Sequence, residues 1–297
     1  MQNIEFLKRK IDGAQNLHSI VRTMKMIAHV SIRQYEDAVV SLNDYYRTIE
    51  MGLQAILKKG RHKIFIPEER PGEHRTGVLV FGSSQGMCGR FNEQMATYTV
   101  EKLTKMVLPK CRIWVVGERI TANLESVELH AEKTFDLPGS VDGINSKVQT
   151  LLLELENERE QMDIDQVLVF HNKPTQWSSY ESIMYHLLPL NTQWLQELEQ
   201  EKWPSRMLPS IQLPAEQMFS ILIRQYLFVS LYRAFAESLA SEHASRLNSM
   251  QAAEKKIDER IKQLTAQYRS RRQNAITEEV LDIMAGFEVM EGSEQFI

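Results

Sequence analysis

The stretch of sequence that decides the fold is IEFLKRKIDGAQNLHSIVRTMKMIAHVSIRQYEDAVVSLNDYYRTIEMGLQAI, residues 4–56. Apolar or small side chains recur along it at steps of three and four residues, and His18 occupies the one polar position of this stripe. It contains no proline and only two glycines, Gly13 and Gly52. A heptad stripe of this length is typical of a coiled-coil helix. At ~1.5 Å per residue the helix would reach roughly 80 Å, which is longer than a compact domain is wide.

A second stripe of the same kind begins after Pro214 and continues to about Met290, interrupted only by Gly286. As a straight helix it would span on the order of 110 Å. No single globular core can cover a helix of that length, so it must pack along another long helix, and the first one is available. The sequence therefore predicts that the two chain ends pack along each other as a two-helix coiled coil.

The regular spacing lapses once in each helix, at residues 21–32 and 268–280. Such interruptions locally relax left-handed supercoiling. At these two segments each helix could therefore face a different protein instead of its partner helix.

The middle of the chain has the pattern of an α/β domain. Short apolar runs at 77–82, 112–117 and 166–172 predict buried strands, and residues 92–106 and 142–160 between them predict helices. Segments 127–135 and 180–190 are further candidate strands. Because strands and helices alternate, we expect a parallel, Rossmann-like sheet.

These patterns place three regions along the chain. We expect an N-terminal shaft helix over 1–60, an α/β domain over 74–213 and a C-terminal shaft helix over 214–290. Proline-containing stretches at 65–72 and 203–214 are the linkers between them. By layout the fold class is α+β, a long antiparallel two-helix coiled coil with a central Rossmann-like domain.

Composition excludes several classes of protein. Of 297 residues, 43% are hydrophobic and 25% charged, which is ordinary globular usage. The net charge of −4 favours neither nucleic acid nor an anionic membrane as a partner. No apolar run approaches the ~20 residues that a membrane span needs. Two cysteines 23 residues apart and an N-terminus without a signal-peptide core favour a reduced, cytosolic-side location.

Basic side chains are concentrated near both ends of the chain. Residues 8–33 contain six basic side chains and one acidic, and residues 255–274 contain seven basic and two acidic. From 275 onward the charged residues are all acidic. On charge alone these stretches are solvated helix faces followed by an acidic tail.

The glycine-rich segment from Gly82 to Asn92, GSSQGMCGRFN, lies between a predicted strand and a predicted helix, where dinucleotide sites place a phosphate loop. Its spacing matches neither known phosphate-binding pattern and no lysine follows, so a tight strand-to-helix turn is the favoured interpretation. Cys88 lacks a recognisable catalytic partner. For His171, the role of a hydrogen-bonded structural histidine is favoured over that of a general base. The carboxylates of 154–160 are typical of a solvated helix face. We therefore expect no catalytic residue, cofactor or metal site in this chain.

Four stretches resemble the gamma subunit of F-type ATP synthases. They are the opening run from Ile4 to Ala28, GMCGRFN at 86–92, LASEHASRLNSMQAA at 239–253 and YRSRRQNAITEEVLDIMAG at 268–286. Together they cover the whole chain in the family's order. The chain departs from the family at Ser84 and Gln85, where Asp-Arg is usual, at Arg90, where a small residue is usual, and at two alanine positions, Thr23 and His29. These departures fit a divergent or ion-specialised member.

The resemblance implies a central stalk: a shaft inside a ring of F1 alpha and beta subunits, with the α/β domain against epsilon and the membrane rotor (c) ring. It implies a peripheral place on the cytoplasmic face of a bacterial inner membrane, without an active site of its own in this chain. The residues it assigns to partner contacts are Met24, Lys25, Met26, Arg246, Arg269, Arg272, Gln273, Thr277 and Glu278. For Met24, a place in the shaft core is an equal alternative.

Two other classes of protein stay open at this point. One is an α/β enzyme with a helical dimerisation rod, which would bind a ligand in the crevice at 82–89. The other is a coiled-coil scaffold, whose helices would pair between chains.

Overall fold

A computed structural model of the chain describes residues 2–59, 75–106, 111–162, 164–175, 179–205, 207, 209 and 212–294. The predicted linker at 65–72 lies outside these residues. The chain divides into two compact units. The first takes its described residues from Met1–Ile27 and Asn248–Ile297, and the second is Ala28–Leu247.

Eleven helices and strands follow one another along the described residues. They are α1 (Gln2–Lys58), β1 (Thr76–Phe81), α2 (Phe91–Met106), β2 (Cys111–Val116), α3 (Thr121–Glu125), β3 (Ala131–Phe135), α4 (Ile144–Met162), β4 (Gln166–Pro174), β5 (Tyr180–Leu188), α5 (Thr192–Gln200) and α6 (Ala215–Glu294). A short 3-10 turn, Glu118–Ile120, precedes α3. The predicted fold class, long terminal helices with an α/β domain between them, is confirmed.

The second unit contains a five-stranded sheet in the order β3-β2-β1-β4-β5. The pairs β2–β3, β1–β2 and β1–β4 are parallel, whereas β4 and β5 are antiparallel. The expectation of a parallel sheet therefore needs one correction at β5. Only five residues separate Pro174 from Tyr180, and a connection of that length leads to an antiparallel neighbour because a parallel one needs a long crossover.

Alternate residues of the central strands enter two different cores. Leu79 and Phe81 pack in a core with α4 and with the second unit's parts of α1 and α6. Val78 and Val80, one residue out of phase, pack against α2 and α3. Because side chains alternate across a strand, the sheet is covered by helices on both faces. This explains why β1, β2 and β4 read as continuous apolar runs.

Within the second unit α1 and α6 run antiparallel. The Nη2 atom of Arg233 donates a hydrogen bond of 2.7 Å to Asn43, and Tyr45 donates one of 2.8 Å to Gln225. A lower-numbered residue of α6 thus meets a higher-numbered residue of α1. A third core, around Leu53, joins these two helices to α5.

The first unit is a pair of helical segments, and these too are antiparallel. The Nζ atom of Lys25 lies 2.5 Å from Glu254, and the Nε2 atom of His18 lies 3.2 Å from Asp258. The polar position of the α1 stripe therefore faces a carboxylate. Large buried side chains here are few, and they include Leu7, Met250 and Leu264.

Some element bounds differ from the prediction. Strand β3 begins at Ala131 and not at 127, because residues 126–128 form a turn in which Glu128 has a positive φ of 62°. Strand β5 ends at Leu188, before Pro189, which lacks the N–H that a strand ladder requires. Helices α3 and α5 are not predicted from the sequence. The side chain of Asn191 caps α5 by accepting a hydrogen bond of 2.8 Å from Gln193 N.

Among the described residues, no helix has a stretch long and apolar enough to cross a membrane.

Candidate partner-binding site

The predicted contact residues of α1 lie side by side in the first unit but differ in exposure. Met26 is 60% exposed, while Met24 is half-buried. Lys25 is also half-buried because its amino group pairs with Glu254 of α6. That hydrogen bond lowers the pKa of Glu254 below its usual range. Met26 thus presents an apolar surface to solvent beside an ion pair that joins the two helices.

The predicted contact residues of α6 are exposed on a second segment of the first unit: Arg269, Arg272, Gln273, Thr277 and Glu278. The hydroxyl of Thr277 is already bonded, since it donates 2.9 Å to the carbonyl of Gln273. Between and beyond these polar residues Ile276 and Val280 are each 50% exposed. An apolar surface of this kind, rimmed by polar side chains, is typical of a protein-binding face.

Exposed apolar residues are not confined to the predicted positions. On the first unit's part of α1 they include Phe6, Leu17, Ile20 and Ile27, and on its part of α6 they include Leu281, Ile283 and Met284. Two paired helices bury only the stripes that face each other, so their outer apolar residues need another partner.

Arg246, in contrast, is buried in the second unit and is only 3% exposed. Its Nη2 atom donates a hydrogen bond of 2.5 Å to Glu242, and its Nη1 atom lies 3.1 Å from His243 Nδ1. Its guanidinium also reaches the carbonyls of Gly86 and Gln85 at 3.4 and 3.5 Å. In this structure Arg246 contacts the glycine-rich loop rather than solvent.

The glycine-rich loop is a tight strand-to-helix turn, as the sequence predicts. Ser83 N donates 3.0 Å to the side chain of Asn92, which donates 2.9 Å back to Ser83 Oγ. A Cβ on Gly82 would lie 2.4 Å from Ile120, so that position requires glycine, and the positive φ of 59° at Gly89 favours glycine there. Cys88 is buried, at 4% exposure.

Two further sequence interpretations have outcomes in the second unit. His171 is a hydrogen-bonded structural histidine, 2% exposed and 2.8 Å from Glu237. The interpretation of 154–160 as a solvated carboxylate face is wrong for Glu158, which is only 7% exposed. Glu154 and Glu158 both pair with Lys133, and Glu158 also accepts 3.0 Å from Arg112.

The cluster around Arg246 includes residues that the sequence analysis does not single out, namely Glu242, His243 and Ser245. Burial and the charge of Arg246 lower the pKa of His243 to about 4, and burial raises the pKa of Glu242. One signal was available: the polar residues Glu237, Ser241 and Ser245 recur at intervals of four residues, which places them on one face of α6.

Comparison with known proteins places this fold among the subunits of rotary ATP synthases. A family model described as ATP synthase matches residues 3–290, nearly the whole chain. The chain belongs to this family, in which its curated relatives are gamma chains.

Those relatives and a solved structure agree over almost the full length. The gamma chain of Malacoplasma penetrans is 25% identical over 288 residues, covering 96% of this chain and 99% of the relative. The gamma chain of Bacteroides fragilis is 27% identical over 298 residues, covering 96% of this chain and 99% of the relative. A chain of the Euglena gracilis mitochondrial ATP synthase, solved with OSCP, F1 and the c-ring, has a TM-score of 0.64 at 18% identity, covering 99% of this chain and 96% of that one. The predicted resemblance is confirmed, and the enzyme and scaffold alternatives are not favoured.

Proposed function

We propose that this chain is the rotating shaft of an F-type ATP synthase, which couples ion flow through the membrane rotor to ATP synthesis or hydrolysis in the alpha/beta ring. The observation that carries this proposal is the exposed apolar surface on both helices of the first unit, in a chain that matches the family from residue 3 to residue 290.

The mechanism follows from asymmetry. A ring of chemically identical sites cannot by itself hold several nucleotide affinities at once. Each beta subunit meets a different face of an asymmetric helix pair, so the pair biases each site differently. The coupling between the rotor and the nucleotide sites is reciprocal, so the same shaft serves synthesis and hydrolysis.

We assign the beta-facing contacts to two groups of residues. Met24, Lys25 and Met26 would meet a mobile acidic loop of beta, with Met26 the most exposed of the three. The second group would contact a beta loop nearer the top of the ring and consists of Arg269, Arg272, Gln273, Thr277 and Glu278. Exposed ion pairs of this type contribute less than ~1 kcal/mol each, so they can break and reform at every rotational step. Arg246 would act indirectly, by holding the loop at 82–89.

We place the α/β domain, residues 74–213, against epsilon and the c-ring, with shaft helices over 1–60 and 214–290. A peripheral position on the cytoplasmic face of a bacterial inner membrane follows from this assembly. The sequence similarity of the chain to bacterial gamma chains supports that placement.

The proposal is tested by the double substitution Arg272→Ala and Gln273→Ala in the assembled complex. Both side chains are exposed, so the free chain should fold as the wild type does. We expect ATP turnover and ion pumping to fall roughly threefold or more, since two interfacial contacts are lost. Arg47→Ala with Gln217→Ala is the matched control, because both of these side chains are exposed on the second unit's parts of the long helices, outside the α/β domain and the assigned contacts.

Wild-type turnover and pumping in the Arg272/Gln273 variant would refute the residue assignment. Failure of the unaltered chain to assemble with alpha and beta subunits would refute the function itself. Self-association of the chain through its helices would favour the enzyme or scaffold alternative.

A further inference from the structure

Helix α6 lies against the crevice where a doubly wound domain usually binds its ligand. In such sheets the ligand site is at the carboxyl ends of the strands, where the strand order reverses. Here the order reverses between β1 and β4, which are neighbours. The carboxyl end of β1 leads into the loop at 82–89, and His171 and Asn172 lie near the end of β4.

Three polar residues of α6, spaced four apart, bond to this crevice; we call them the α6 seam. Glu237 pairs with His171 at 2.8 Å. The hydroxyl of Ser241 lies 3.1 Å from the carbonyl of Asn172 and 2.8 Å from that of Glu237, so its one proton is shared between the sheet and its own helix. Ser245 donates 2.6 Å to the carbonyl of Cys88. Because residues four apart share a helix face, one face of α6 contacts the end of β4 and the loop that follows β1.

The seam is closed to water. Glu237 and Ser245 are each 7% exposed, Ser241 is fully buried, and the acceptor residue Asn172 is fully buried. A buried polar group that loses its partner is costly, so each of these bonds resists sliding of the helix along the sheet. Apolar packing is not directional and resists such sliding less.

We propose that Glu237, Ser241 and Ser245 are positioning residues that fix α6 in rotation and axial position on the sheet, so that a turn of the α/β domain is passed to α6 without slip. This inference rests on the proposed function. In this proposal α6 occupies the crevice that holds a bound ligand in related folds, and the crevice transmits force from the sheet to the helix.

Arg246 completes the attachment beside the seam. Held by Glu242, it reaches the carbonyls of Gly86 and Gln85, next to the Cys88 carbonyl that Ser245 binds. The loop thus makes contacts with two successive residues of α6. Met87, at the tip of the loop between Gly86 and Cys88, is 63% exposed and has a positive φ of 63°.

The test is the double variant Ser241→Ala and Ser245→Ala in the assembled complex. The measurement is the number of ions pumped per ATP hydrolysed. We expect this ratio to fall about twofold or more, because coupling between the sheet and α6 weakens. Ser220→Ala, the same change at an exposed position of α6, is the matched control and should keep the wild-type ratio.

A second measurement separates positioning from a general loss of stability. The single variant Ser245→Thr keeps a hydroxyl donor, so we expect it to show the wild-type ratio of ions pumped per ATP hydrolysed. Hydrogen exchange should quicken in the backbone amides of 83–89 in the double variant and not in the Ser220 variant. An unchanged ratio with quickened exchange would overturn the proposal, as would a lowered ratio that the Ser220 variant shares. If wild-type complexes themselves fail to pump, the proposed function fails, independently of the seam.

Discussion

The imidazole of His243 on α6 stacks on the phenol ring of Tyr35 on α1, with ring centroids 5.7 Å apart and planes inclined by 13°. Arg246 lies against the same imidazole, 3.1 Å from Nδ1. For the guanidinium to donate to Nδ1, that nitrogen must be the acceptor of a neutral imidazole. The contact between Arg246 and His243 within α6, beside the ring that packs on Tyr35 of α1, therefore requires uncharged His243.

This requirement predicts a pH dependence of folding. The pKa of His243 is lowered to about 4 in the folded chain, against an ordinary value of about 6.5. Between these values the unfolded chain binds the proton and the folded chain does not. The free energy of unfolding contributed by this group is therefore fully present above pH ~6.5 and is lost as the pH falls toward 4.

His243→Gln isolates the pH-dependent contribution of His243 to the free energy of unfolding, because glutamine keeps an acceptor for Arg246 without titrating. Glu242, whose pKa burial raises, acts with the opposite sign but is present in both proteins. We expect the stability difference between wild type and variant to shrink or reverse between pH 6.5 and 4, measured by urea unfolding. Parallel pH profiles for the two proteins would contradict the assignment of a neutral His243.

Replacing Gly77 in β1 by a larger residue is expected to cause a steric clash. A Cβ at this position would lie 2.3 Å from Cζ3 of Trp114, a ring that is 1% exposed in the neighbouring strand. Since the ring has no room to move, we expect Gly77→Ala to lower the free energy of unfolding by about 1–3 kcal/mol. Chemical denaturation of the full chain measures this.

Gly13→Ala is the control for that experiment. A Cβ at Gly13 would meet no atom within 4 Å, and the residue is helical. There alanine should stabilise the chain by roughly 0.5–1 kcal/mol. Equal effects at the two glycines would show that close approach to Trp114 does not set the requirement at Gly77.

Substitution of Ile276 and Val280 on α6 is expected to impair binding without impairing folding. Each is 50% exposed, so replacing both by glutamine should change stability by no more than about 0.5 kcal/mol per site. If the alpha/beta ring covers one such side chain, its loss weakens binding by about 1.5 kcal/mol, roughly tenfold. Titration of alpha and beta subunits onto the labelled chain measures this affinity.

Leu153→Gln serves as the comparison, since Leu153 is 53% exposed on α4 of the second unit. It should leave the affinity for alpha and beta unchanged. An Ile276/Val280 variant that binds as tightly as the Leu153 variant would remove this face of α6 from the interface.

Local pattern predicts much of the secondary structure. The two long helices follow from apolar spacing that persists over dozens of residues, and their packing along each other follows because neither stripe can be covered by a small core. The runs at 77–82, 112–117 and 166–172 predict β1, β2 and β4 because strands buried on both faces are continuously apolar. The short helices α3 and α5 have no comparably long pattern, so they are missed.

The sequence alone determined the long helices, the buried strands and the family, because these depend on periodic or contiguous residues. Tertiary structure alone decided that Arg246 is buried on the loop at 82–89 and that α6 bonds to the sheet at the reversal of strand order. Each of these depends on residues distant in sequence. Ser245 and Cys88, for example, are joined only when α6 packs on the carboxyl end of β1, and no local pattern in either segment specifies that meeting.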